Sequence, residues 1–192
     1  MEIAYAGRRA IYEELLGILS DSVIRVEYME NVDDCGGDIT LLDYYVDSPC
    51  RALRVGSDLV GEVAEAISES VDDLVVGADA GSRKFGLALL SGNELLMHAM
   101  LTPRRAEALL GRLRGVLAIG DNPLGRRVAS RIGACGVFES VAMIDEAEAS
   151  RKRDWLRGRY PSLRLDELDA VAIALSARGG IDWCRGQKIK IA

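Results

Sequence analysis

The spacing of apolar residues changes period several times along the chain. Ile11, Leu15, Leu16 and Leu19 recur on one side of a stretch whose other side carries Glu13 and Glu14, which predicts an amphipathic helix over Arg8–Leu19. Met1–Ala6 alternates like an edge strand, and Ser22–Tyr28, Ile39–Val46 and a short piece at Ala52–Val55 read as further strands. Ser57 or Asp58 opens a helix that runs to about Ser70, with Val60, Val63, Ala64 and Ile67 inward. From Leu74 the pattern tightens. Leu74-Val75-Val76 and Phe85–Leu90 flank a Gly-containing turn, a hairpin signal, and Glu94–Leu101 adds a third antiparallel strand. Thr102-Pro103 then starts a helix to about Arg114. Val116–Gly120 is continuously apolar, as buried parallel strands are. A helix over Pro123–Ile132, a strand over Val137–Ile144, a charge-dense stretch over Asp145–Arg159 and a strong helix over Leu165–Arg178, closed by Gly179-Gly180, complete the chain. The expected fold is α/β: a five-stranded mixed sheet flanked by helices over residues 73–192, preceded by a small α/β unit over 1–72.

Composition narrows the function classes. Hydrophobic residues make up 49%, enough for a sizeable core, while aromatics are only 5%, too few for broad base-stacking platforms. No apolar run reaches membrane-spanning length, and the first residues lack the basic region and apolar core of a signal peptide. The protein is expected to be cytoplasmic. Cys35, Cys50, Cys135 and Cys184 form no CxxC pair and are expected to be reduced thiols. The formal net charge of −6 conceals a contrast. Residues 1–72 carry five Lys and Arg against sixteen Asp and Glu, so the rest of the chain is net basic. Such a contrast points to nucleic acid or membrane contact on the basic part.

Candidate chemistry lies in the acids. Asp79 ends an apolar run between small residues, a place where aspartate is uncommon without a partner. Asp121 ends the buried strand at Val116–Gly120; if that strand lies parallel to the one before Asp79, both carboxylates leave the sheet at one edge. Asp166 and Asp169, three apart, share a face at the start of the last helix, where its dipole favours negative charge. Each acid alone has an ordinary explanation as a turn or helix cap. Together they suit divalent cations, Mg²⁺ or Mn²⁺, which relieve carboxylate crowding and can activate water at a phosphodiester. Asp33–Asp38 lacks calcium-loop spacing and reads as a solvated turn. His98, the only histidine, reads as a strand residue and not as a general base.

Gly77-Ala78-Asp79-Ala80-Gly81-Ser82 followed by Gly86, and Asp166-Glu167-Leu168-Asp169 before an Ala-rich run, resemble the first-strand and closing-helix motifs of RuvC-type and YqgF-like nucleases of the RNase H-like superfamily. The resemblance covers about residues 73–180. It implies an RNase H-like fold, with Asp79, Asp121, Asp166 and Asp169 as catalytic metal ligands. Asp145-Glu146 is similar to the Asp-Glu after the fifth strand of YqgF-like proteins and gives a second-rank pair. The implied activity is metal-dependent phosphodiester cleavage in structured nucleic acid, as in a Holliday-junction resolvase working as a homodimer. RuvC itself usually has Glu where this chain has Asp121, and residues 1–72 have no counterpart.

Basic residues follow the acids. Arg83 and Lys84 lie on the hairpin turn, and Arg151, Lys152 and Arg153 follow the last strand, placed to neutralise phosphates. The competing expectation is a catalytically inactive binding or scaffold protein whose acidic first unit engages a protein partner.

Overall fold

The computed structural model describes residues 1–30, 36–49 and 52–189. The first part forms β1 (Glu2–Ala6), α1 (Arg9–Ile18), β2 (Arg25–Tyr28), β3 (Ile39–Asp43), β4 (Leu53–Val55) and α2 (Leu59–Ser70). Its four strands pair in parallel in the order β2-β1-β3-β4. β1 is therefore interior and not the edge strand its alternation suggested. Ile3, Ala4, Tyr5 and Ala6 are all buried, because a parallel strand between two neighbours is covered on both faces and needs no polar side. The acidic loop at 33–38 lies outside the described residues as far as Cys35.

The second part contains β5 (Leu74–Ala80), β6 (Phe85–Ser91), β7 (Glu94–Leu101), α3 (Pro103–Leu110), β8 (Val116–Gly120) and α4 (Pro123–Arg131). It continues through α5 (Ala134–Val137), β9 (Ser140–Ile144), α6 (Glu146–Ser150), α7 (Arg153–Arg159) and α8 (Leu165–Leu175). The expected five-stranded mixed sheet is present, in the order β7-β6-β5-β8-β9. β5, β6 and β7 are antiparallel, and β5, β8 and β9 are parallel. Two boundaries moved. Val137, expected to open the last strand, instead ends a helical turn over residues 134–137, and the charge-dense stretch after β9 is helical as α6 and α7. Asp145 starts the first of these by accepting the Ala147 N–H at 2.8 Å, a side-chain cap that polar composition hid.

The period of two along the central strands decides which layer each residue meets. Leu74, Val76 and Ala78 of β5, with Leu87, Leu89, Leu117 and Ile119, face a core shared with Ile11 and Leu15 of α1 and Val63 and Ile67 of α2. The opposite face, including Val75, Ala88 and Ala118, packs against Ala170, Val171 and Ala174 of α8. α8 rests directly on β5 and β6 because both strands carry glycine beneath it. A Cβ on Gly77 would stand 2.7 Å from the Ala174 Cβ and collide with the Ala170 carbonyl oxygen. Asp79 lies on this helix-facing side, two residues beyond Gly77.

The thiols depart from expectation. Cys135 in α5 and Cys184 in the C-terminal segment form a disulfide across 49 residues of sequence, with Cα atoms 5.6 Å apart. The segment is drawn there by backbone pairing: Trp183 N–H donates to the Val141 carbonyl at 2.7 Å, and Ala142 bridges Asp182. Sequence spacing could not show this, since the partners meet only after β9 and the tail have paired. Closing a loop of this size contributes about 2–4 kcal/mol. Reduction by dithiothreitol is expected to lower the melting temperature measurably, and a Cys184→Ser variant should melt alike with and without reductant at the 135–184 link.

Candidate active site

Asp79 is the penultimate residue of β5, and its side chain is half-buried. Its pairing partner on β6 is Gly86, which leaves room above the strand for the first turn of α8. Asp79, Glu146, Ser150, Arg153 and Asp169 line one small pocket of about 60 Å³. A buried water needs about 10–15 Å³ by this measure, so the pocket has room for an ion and a few waters. Burial pushes the Asp79 carboxyl up to about 7, helped by the negative charges of Asp169, Glu146 and Asp166, while Arg153 acts in the opposite direction. A carboxyl so crowded by its own kind marks a place short of positive charge.

Arg153, at the start of α7, supplies some of that charge. Its Nε and one terminal nitrogen each lie 2.8 Å from a carboxylate oxygen of Asp169, a two-pronged pair. Its neighbours divide. Lys152 turns away to donate to Ser176 Oγ at 2.6 Å, whereas Arg151, Arg83 and Lys84 are exposed. Glu146 reaches the pocket from the N-terminus of α6. It accepts a hydrogen bond from the Asn122 side-chain amide and lies over Gly120, where a Cβ would crowd its carboxylate.

The sequence-based acids therefore separate. Asp79 and Asp169 share the pocket, and Asp166 acts on Asp79 from the first turn of α8 without lining it. Asp121 does stand at the end of a strand parallel to β5. Its carboxylate, however, is turned to Arg126, at 2.5 and 3.0 Å, and this pairing holds it below the usual carboxylate range. The structure does not bring Asp121 into the pocket. The cause is local: Arg126 lies five residues on, one turn into α4, within easy reach of an exposed acid. Of the second-rank pair, Glu146 enters the pocket and Asp145 is spent as a helix cap. Sequence reasoning missed the Arg153–Asp169 pair, which depends on α7 packing beside α8.

The donors suit a hard divalent cation in kind, being all carboxylate oxygens, and in charge, as the Asp79 shift shows. In this conformation Arg153 holds both oxygens of Asp169, and among the described residues no three His, Cys, Asp or Glu side chains converge at metal-ligand spacing. Asp79, Glu146 and Asp169 would hold such an ion once Arg153 gives way.

No family profile and no curated protein matches the chain in sequence. Among solved structures, it is similar to RuvC of T. thermophilus in complex with a Holliday junction substrate. The identity is 20% over 54% of this chain and 91% of that one, with a TM-score of 0.41. A second Thermus thermophilus RuvC structure gives 17% identity over 54% and 92%, with a TM-score of 0.39. Among the described residues, no helix is long and apolar enough to cross a membrane.

Proposed function

We propose that the chain is a divalent-metal-dependent nuclease of RNase H-like fold that cleaves phosphodiester bonds in structured nucleic acid. The observation that carries this reading is the convergence of Asp79, Glu146 and Asp169 on one pocket at a sheet edge, with Asp79 pushed up to about 7 by its neighbours. Bound Mg²⁺ or Mn²⁺ would supply a Lewis acid for the scissile phosphate and a more acidic water. The chain's own residues set the rest. β5 fixes Asp79 from below, α8 fixes Asp169 beside it, and Asn122 holds Glu146 toward the pocket. Exposed Arg83, Lys84 and Arg151 are suited to neutralise backbone phosphates on the approach. Residues 73–192 would then form the nuclease part, and 1–72 a unit that engages a protein partner. A symmetric junction would need two copies of the chain.

The reading is tested by incubating the protein with labelled four-way junction, duplex DNA, RNA and RNA–DNA hybrid, with Mg²⁺ or Mn²⁺ and with EDTA. Metal-dependent cutting supports it. No cutting of any substrate by folded protein rejects it.

One observation favours a second reading, a nucleic-acid-binding protein without cleavage. Arg153 already neutralises Asp169 in the position where a cation would act. The Arg153→Gln variant separates the two. If Arg153 and metal compete, the variant is expected to bind Mn²⁺ several-fold more tightly by isothermal titration calorimetry. If the arginine is the permanent counter-charge, removing it should destabilise the fold without creating metal affinity.

A further inference from the structure

A second constellation lies in a separate, open cleft of about 450 Å³ between α1, β7 and the start of α8, and it shares no lining residue with the acid pocket. Ile18, Val60 and Met100 give this cleft apolar walls, and its charged lining is mixed, Glu14 and Glu167 beside Arg164 and an Arg105 that is paired with Asp58 at 3.0 Å. His98 projects into it from β7 and is itself buried. Its Nδ1 lies 2.9 Å from Glu167 Oε1, and its Nε2 lies 3.0 Å from Ser20 Oγ. Glu167 is anchored in turn, since its Oε2 accepts the Arg164 N–H at 2.8 Å.

The protons can be assigned from these contacts. Glu167 Oε2 is taken by the Arg164 backbone N–H, and Oε1 is the atom facing the ring. With Nδ1–H donating to Oε1, Nε2 of the neutral ring is an acceptor. A hydrogen shared between Nε2 and Oγ is then Ser20's own. The same hydroxyl has a second acceptor, donating to the Gly17 carbonyl at 2.9 Å, and Ser162 Oγ lies 3.1 Å away. Ser162 donates its hydrogen to Asp21 at 2.7 Å, so it too offers Ser20 only a lone pair. One serine hydrogen thus faces acceptors alone, and its oxygen borders the cleft. Burying an acid and a histidine is costly for a mere packing contact.

We propose that Ser20 is a nucleophile, with His98 as its general base and Glu167 as the carboxylate that orients the ring, and that the cleft is an acyl-transfer site for small esters. Ser20 Oγ attacks the ester carbonyl carbon as its proton passes to His98 Nε2. The bond from that carbon to the alkoxide oxygen then breaks, and the alkoxide leaves as an alcohol with the same proton. Water, deprotonated by His98, attacks the acyl-Ser20 carbonyl, releases the carboxylic acid and restores the hydroxyl.

The test uses the full chain and an alkyl fluorophosphonate, read by intact mass and peptide mapping. The expected result is a single phosphonyl adduct on Ser20, absent in Ser20→Ala and formed at least about 100-fold more slowly in His98→Gln. A burst of nitrophenolate from p-nitrophenyl acetate, stoichiometric with protein, should accompany it. No adduct on folded wild-type protein, an adduct on a different residue, or an undiminished rate in His98→Gln would overturn the proposal. Mapping of the wild-type adduct reads Ser20 directly, so a variant that fails to fold does not shelter the idea.

Discussion

Asp79→Asn is expected to abolish metal-dependent cleavage, by on the order of 10³-fold or more, and at the same time to make the metal-free protein harder to unfold near pH 8. Both effects come from one carboxyl. Its folded value is about 7 against an ordinary 3.8, so well below pH 3.8 it is protonated in both states and adds nothing to the pH dependence. As pH rises through 3.8 toward 7, the unfolded chain releases this proton first, and the folded state loses stability with each step. Above about 7 the folded carboxyl ionises too, and the penalty is complete. Asparagine keeps the shape without the charge. In EDTA, the variant's melting temperature should match that of the wild type only well below pH 3.8, rise above it through neutral pH and level off beyond. Cleavage retained in the variant would remove Asp79 from the nuclease site. Equal melting temperatures at pH 8 would mean that the crowding of acids at this edge is relieved in solution.

Gly86→Ala should be the most damaging small substitution in the chain. Gly86 pairs with Asp79 across the hairpin, and α8 begins above it. A Cβ there would stand 2.6 Å from the Asp166 carbonyl carbon and closer still to its oxygen, against helix backbone that has no rotamer to change. Overpacking of this kind costs about 1–3 kcal/mol, occasionally more. The loss should also reach the site, because relief requires α8 to lift and carry Asp166 and Asp169 with it. Thermal denaturation and Mn²⁺ titration of the same sample would show whether stability and metal affinity fall together. Gly136→Ala is the matched control. Nothing lies within 4 Å of a Cβ at that exposed helical position, so a change within about ±0.5 kcal/mol is expected.

The sheet was legible because period and punctuation agree over residues 74–120. Strands of five to eight residues are separated by Gly-containing turns, and Thr102 does cap the helix that Pro103 begins, accepting the Arg105 N–H. The first strand misled because five residues cannot distinguish an edge from an interior position: Met1–Ala6 alternates only weakly, and both its faces are covered. The site divided along the same line. Asp79 and the acids of α8 were readable from their places at element ends. The reach of a side chain was not readable. Asp121 sits at the anticipated strand end and is captured by Arg126, while Glu146 is carried inward by a helix turn in a stretch that composition marked only as charge-dense. The link from His98 to Ser20 and Glu167 spans 78 and 69 residues of sequence and leaves no local trace.

The core shared by both sheets bears on how the chain could be cut and recombined. Leu87, Leu89, Met97 and Leu101 of the second sheet rest in the same apolar cluster as Leu15, Val63 and Ile67 of the first part. Outside it, Val23 N–H donates to the Leu95 carbonyl, and Arg105 and Arg112 both reach Asp58. A fragment beginning at residue 73 would carry the whole acid pocket yet present one side of its sheet to water, bare where two helices had lain. Such a piece is a candidate for inclusion bodies and not for crystallisation, and a genetic fusion joined at that seam would inherit the same stickiness. The two parts are better treated as a single inheritable unit, to be moved between proteins together or not at all.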